Sequence, residues 1–169
     1  LTCTSAITAQ VYYGENGKAV FYSKVPLHNF SGTSDHLVGR INLEQNTVDF
    51  YIDLETLDTG NGKRDRDMLK TLNTKKYPFG EFFGQITTPF DSESPEPQPI
   101  TVQGVFKIHG HEKEIEVAGQ LQKNGDNLEV HAEWILNLDD FKIKPPQFLI
   151  LKVDEEQEIE IDITLKPEQ

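Results

Sequence analysis

Cysteine is nearly absent. Cys3 stands alone in 169 residues, so no internal disulfide framework staples this chain. Long apolar runs are missing as well: no stretch reaches the roughly 18 consecutive apolar residues of a membrane-spanning helix. Positive charge is scarce, with 16 Lys and Arg against 28 Asp and Glu and a net charge of −12. Phosphate backbones are bound by Lys and Arg, so this balance argues against a nucleic-acid partner. The short motifs of nucleotide and nucleophile chemistry are absent: there is no P-loop, dinucleotide fingerprint or nucleophile elbow. What remains is an acidic chain long enough for one domain with a substantial core.

What the sequence does have is alternation, the signature of half-buried strands. Val48, Phe50, Ile52 and Leu54 share one face, with Asp49, Tyr51 and Asp53 on the other. The same period runs through 37–43, 102–108, 115–121, 128–136 and 159–165, and two further strands are expected at 19–25 and 80–88. Turn chemistry separates them: "EQN" at 44–46, "HGHE" at 109–112 and "NGDN" at 124–127. Short connections favour antiparallel neighbours. "DSESPEPQP" at 91–99 reads as a long exposed loop. About eight antiparallel strands must hide their apolar faces. A sheet closed into a barrel does so and removes the edges, and a two-sheet sandwich is the alternative.

One stretch breaks the pattern. "DTGNGKRDRDMLKTLNTKKYPF", 58–79, reads as a helix over about 63–73 that Asn61 or Gly62 can start. Met68, Leu69 and Leu72 form its apolar stripe, and Tyr77 before Pro78 disfavours its continuation. Six basic residues (Lys63, Arg64, Arg66, Lys70, Lys75, Lys76) stand here against Asp65 and Asp67. A local positive patch on an acidic body suits one small anionic group. The plainer reading is a solvated helix laced by Arg–Asp pairs, each worth about 0.3–0.5 kcal/mol.

By period, Gly39, Gly104, Gly119 and Ala132 face inward, and Gly84 does too if Phe82 and Ile86 face in. Small inward residues leave volume for a ligand, or else mark bends in a filled core. The inward set carries almost no charge, so a ligand held there has a long apolar body. "HGH" at 109–111, with His131, invites a three-histidine zinc site. However, Gly110 falls at a turn and His131 points outward beside Glu129 and Glu133, so exposed histidines explain all three. No metal, catalytic residue or cofactor is expected.

The opening "LTCTSAITAQ" is small and uncharged, like the end of a secretory signal peptide cleaved near Ala9. The division expected is therefore 1–10, a signal-peptide remnant or disordered terminus, and 11–169, a single β-barrel domain.

Motif order carries a family resemblance. "GRINL", "VDFYIDL", "KRDRDML", "KYPF" and "FFGQI" follow one another, then "VQGVFKIHGHEKEIEVAGQL" and "LDDFKIKPP". Over roughly 19–166 this resembles the YceI-like family of lipocalin-like, polyisoprenoid-binding proteins, although Asp67-Met68 stands where many members carry a His before the apolar residue. The resemblance implies a lipocalin-like antiparallel barrel in the periplasm or secreted. It also implies an apolar tunnel holding an isoprenoid or similar amphiphilic lipid, and no catalysis. On that reading Phe50, Ile52, Met68, Leu72, Phe82, Phe106, Ala132, Trp134, Phe141 and Phe148 line the lumen, with the helix closing over it. Arg64 and Arg66 meet a polar head group. The partner expected is a hydrophobic or amphiphilic small molecule, and a homodimer is allowed. The competing functions are a His-dependent metalloenzyme and a packed barrel acting through its acidic exterior.

Overall fold

A computed structural model describes residues 10–25, 28–145, 147–148 and 151–168, the pairs 147–148 and 151–152 by backbone alone. The expectation for 1–10 falls, apart from Gln10, outside those residues.

The chain forms β1 (Val11–Ser23), β2 (Phe30–Asn42), β3 (Thr47–Asp53), helix α1 (Gly62–Leu72), β4 (Phe79–Ile86), β5 (Gln98–Ile108), β6 (His111–Asn124) and β7 (Asn127–Asn137). The two-residue strands β8 (Gln147–Phe148) and β9 (Leu151–Lys152) pair only with each other, and β10 (Glu156–Pro167) completes the set. Eight strands close into an antiparallel barrel in the order β1-β10-β7-β6-β5-β4-β3-β2. This is the barrel expected from alternation, with the expected strands at its heart.

Two strands run longer than their alternation shows. β1 begins at Val11 because a bulge absorbs Glu15 and Asn16: the register with both neighbours shifts here, and Asn16 takes φ 62°. A bulge resets the period, so the pattern vanishes across it. β2 begins at Phe30, but its inward residues there are Gly32 and Ser34, which carry no apolar signal. Buried Ser34 satisfies its hydroxyl with Thr56 at 2.6 Å.

Helix α1 starts as expected. The Asn61 side chain accepts from the backbone N–H groups of Lys63 and Arg64, both at 3.1 Å, which serves donors that no helical carbonyl can reach. It ends where expected, but a different residue stops it. Asn73, at φ 51°, stops the helix before the Tyr77-Pro78 breaker is reached. The segment is tied down on both flanks. Thr33 and Asp58 exchange backbone hydrogen bonds at 2.9 Å, and Leu54 N–H donates to the Pro78 carbonyl at 2.8 Å.

The core has two parts. Away from the helix, Tyr12, Ile41, Leu121, Leu128 and Leu165 are essentially inaccessible and plug the barrel. Near the helix, Leu54, Leu72, Ile108, Leu136, Leu138, Phe141 and Ile143 make a second, looser cluster.

The β5–β6 hairpin turns on His109 and Gly110, both at positive φ, 56° and 73°, as a type I′ turn requires. A methyl group on Gly110 would also lie 2.6 Å from the Tyr77 ring. Gly125, at φ 62° in the β6–β7 turn, has open space around it. Gly125→Ala therefore carries only the left-handed backbone cost, about 1–2 kcal/mol. Gly110→Ala adds displacement of Tyr77, and chemical denaturation is expected to show a clearly larger loss for it than for Gly125→Ala.

On the outer face, His131 bridges Asp162 (2.7 Å) and Glu133 (3.2 Å). The hydrogen bond to Asp162, reinforced by Glu133, raises its pKa above the ordinary histidine value. A raised folded pKa gives stability that is fully present below the unfolded value of about 6.5 and lost as pH rises through the folded one. The pair is half-exposed, so the effect stays below about 1 kcal/mol. Melting of the parent and His131→Ala should differ most near pH 5.5 and converge near pH 8.5.

Candidate ligand-binding cavity

Beneath α1 the barrel is hollow. A cavity of about 370 Å³ lies among Phe21 of β1, Ile52 of β3, Met68 and Leu72 of the helix, Phe106 of β5 and Ile159 of β10. A deeper chamber of about 110 Å³ lies toward the plugged end, among Phe50, Phe82, Val117, Ala132 and Trp134. Ala19, Ile52, Gly80, Phe106 and Ile159 border both, so one set of residues stands between them. The walls are almost wholly apolar; the polar residues that border the larger cavity are His28, Arg64, Asp67 and Thr71, and Ser23 and Gln157 on β1 and β10.

The residues named from sequence distribute as follows. Ile52, Met68, Leu72 and Phe106 border the larger cavity, and Phe50, Phe82, Ala132 and Trp134 border the deeper one. Phe141 borders neither. It is 2% exposed and packs edge-on against Phe106, ring centroids 5.5 Å apart, so it supports the wall from behind. The Phe148 side chain lies outside the described residues. Leu69, expected on the lumen stripe, is half-buried but absent from the cavity wall.

The two arginines part company. Arg66 is exposed and borders neither cavity. Arg64 does border the larger one, but its guanidinium donates to the Thr59 hydroxyl (3.1 Å) and the Thr59 carbonyl (2.9 Å) and lies 4.4 Å from the centre of the Phe30 ring. Asp67 stands at the same rim. Its hydrogen bond from Lys63, 2.8 Å, holds its carboxyl below the usual range. The rim therefore pairs cation with anion, and much of Arg64 is committed to shaping the loop before the helix.

The inward glycines act differently from the simple expectation that they leave space. Over Gly39 lies the Phe50 ring, and over Gly104 the Phe82 ring together with Gly84. Next to Gly119 sits Ala132, whose Cβ would be 3.2 Å from an added methyl group. Gly39 and Gly104 thus make room for aromatic rings and their volume is filled, whereas Gly119, with Ala132, borders the deeper chamber. Real space is bordered by Ala19 and by Gly80, where an added Cβ would meet Ile52 and Leu54 at an ordinary 3.5 Å. Gly80 shares the phase of Phe82 and Gly84, a signal available in "FGEFFGQI". Phe21, Ser23, Gln157 and Ile159 were also legible as in-phase residues of β1 and β10.

The histidines do not converge on the cavity. His109 and His111 sit at the β5–β6 hairpin with ring centroids 5.9 Å apart, and His109 Nδ1 is 3.1 Å from the Phe141 carbonyl oxygen. Among the described residues, the one cluster of three potential metal ligands is His131, Glu133 and Glu160, and the His131 ring is engaged there with Asp162 and Glu133 on the outer face.

A family model for the YceI-like domain matches residues 14–165. Among solved structures, a polyisoprenoid-binding domain from Saccharophagus degradans, implicated in plant cell wall breakdown, aligns over 95% of this chain and 99% of its own, with a TM-score of 0.77 at 14% identity. BcnA from Burkholderia cenocepacia aligns over 88% and 95%, TM-score 0.73, 16% identity. The YceI protein of Campylobacter jejuni aligns over 100% and 91%, TM-score 0.55, 12% identity. A search of curated proteins finds no match. With the family model spanning nearly every barrel strand, the chain belongs to the YceI-like family.

Proposed function

We propose that this protein binds a long-chain isoprenoid or similar amphiphilic lipid in the barrel lumen and carries or holds it without catalysing a reaction. The observation that carries the reading is a pair of apolar chambers that share Ile52, Gly80, Phe106 and Ile159; joined through those side chains as a neck, they would make one elongated space. The larger chamber alone falls within the roughly 300–1,000 Å³ of small-molecule sites. An elongated apolar space fits a chain better than a compact polar metabolite, and hydrophobic transfer supplies about 25 cal/mol per Å² of apolar surface removed from water. The polyisoprenoid-binding domain with the same fold supports the choice of lipid class. An exported, periplasmic or secreted location belongs to the same proposal and rests on the family resemblance and on the small, uncharged run "LTCTSAITAQ".

Organic extraction of the purified protein followed by mass spectrometry is expected to release a long-chain lipid. Gly80→Leu tests the neck. The added side chain meets only ordinary contacts at its Cβ, so melting should change by about 1 kcal/mol or less, while the extracted lipid should fall severalfold. Gly39→Leu is the contrast: it collides with the Phe50 ring and should destabilise the barrel by roughly 1–3 kcal/mol or more. Undiminished lipid in folded Gly80→Leu would show that the neck is not where the chain lies.

A further inference from the structure

Two buried side-chain polar atoms among the described residues lack a hydrogen-bond partner within the protein, Ser23 Oγ and Trp134 Nε1. Buried polar atoms without partners are rare, and each calls for an explanation. Both residues border the lumen: Ser23 the larger chamber and Trp134 the deeper one. Ser23 is the sharper case. It is 1% exposed, it follows the inward phase of Ala19 and Phe21, and most of the chamber wall around it is apolar.

The surroundings of Ser23 define the chemistry. The β1–β10 ladder pairs Tyr22 with Glu158, and one step further along the two strands stand Ser23 and Gln157. Gln157, also buried, borders the same chamber. Its Nε2 donates to the Asp154 carbonyl at 2.7 Å, so its amide is anchored. Neither group is charged. Among the described residues, the one cation that borders this chamber, Arg64, is bonded to Thr59, and the Asp67 carboxylate shares its rim. A hydroxyl beside an amide in an apolar wall suits a neutral polar group and gives a phosphate no countercharge.

Resting on the lipid-binding reading, we propose that the bound amphiphile carries an uncharged oxygen-bearing group, an alcohol, ester or amide, seated inside the barrel wall at Ser23 beside Gln157. A rotation about the serine χ1, among its three staggered wells, swings the hydroxyl toward the chamber to donate to that oxygen. The head group is then buried at the β1–β10 seam, and the cationic helix does not bind it.

The test uses the full chain with four probes of equal length: hexadecane, hexadecanol, hexadecanamide and hexadecyl phosphate. Each competes against one fluorescent long-chain probe. Hexadecanol and hexadecanamide should bind more tightly than hexadecane and hexadecyl phosphate. Ser23→Ala should weaken the two neutral polar probes by roughly three- to tenfold, the worth of one hydrogen bond, and leave hexadecane unchanged. Its melting temperature should hold or rise, because an unpartnered hydroxyl is removed. Trp134→Phe keeps the ring and deletes the donor. If it alone produces the selective loss, the head group lies in the deeper chamber and the assignment to Ser23 is wrong. Tightest binding of hexadecyl phosphate, or a Ser23→Ala protein with unchanged affinities for every probe, overturns the proposal while leaving lipid binding intact. Failure of all four probes to compete sinks the lipid-binding reading itself.

Discussion

The structure depends on barrel closure. β1 pairs with β10 along one edge and with β2 along the other, so every barrel strand has two neighbours and no edge is left to pair with another chain. Closure also decides where the apolar side chains go. With an inside and an outside, alternation along each strand must place one set in the lumen and the other in water. The dense outward carboxylates of β10, Glu158, Glu160 and Asp162, follow from this alone. Closure with about eight strands leaves an interior narrow enough to be filled by side chains, or wide enough for one small ligand. Which of these holds is settled residue by residue along the axis.

This chain does both. At the plugged end Tyr12, Leu121, Leu128 and Leu165 meet across the axis and fill it. Moving toward the helix, aromatic rings lie over glycines: Phe50 over Gly39 and Phe82 over Gly104. Flattened against the wall, such rings leave the centre open, and the two chambers begin there. A glycine under a ring thus contributes to the hollow indirectly, by lowering the ring, where a buried glycine with no ring over it, such as Gly80, contributes directly. The two effects look the same in a one-dimensional pattern of inward small residues.

That distinction sets how far the sequence could be read. The strands around Val48–Leu54 and Ile159–Leu165 were plain because each keeps period two with large apolar side chains on one face. Helix α1 was plain because it alone departs from that period and has an Asn at its start. The first halves of β1 and β2 were hidden, one by the bulge at Glu15–Asn16 and the other by small inward residues at Gly32 and Ser34. Phe141 was read as lumen along with the other aromatics. A short 3₁₀ turn, Leu138–Phe141, instead rotates it behind Phe106. Arg64 could be placed at the rim from the helical repeat, but its hydrogen bonds to Thr59 depend on how the preceding loop folds back. A linear pattern does not encode that.

The insert that interrupts the strands is therefore better understood as a self-locked cap than as a charged clamp. Arg64 and Asp65 both converge on Thr59, the arginine on its hydroxyl and carbonyl and the aspartate on its N–H and hydroxyl. Opposite charges joined through one threonine fix the loop without leaving net charge at that point. The Thr33–Asp58 bridge then fastens this unit to β2, and Leu54 with Pro78 fastens its far end beside β4. The helix spans between these anchors and touches the lumen through Met68, Thr71 and Leu72. The barrel wall is held by continuous ladders of backbone hydrogen bonds, whereas the helix is held over the cavity by its two anchors and an apolar stripe. Admitting a long chain by parting the ladders would break many backbone bonds at once. Displacing Met68 and Leu72 would break none of the barrel's, so the cheaper route into the lumen runs beneath the helix.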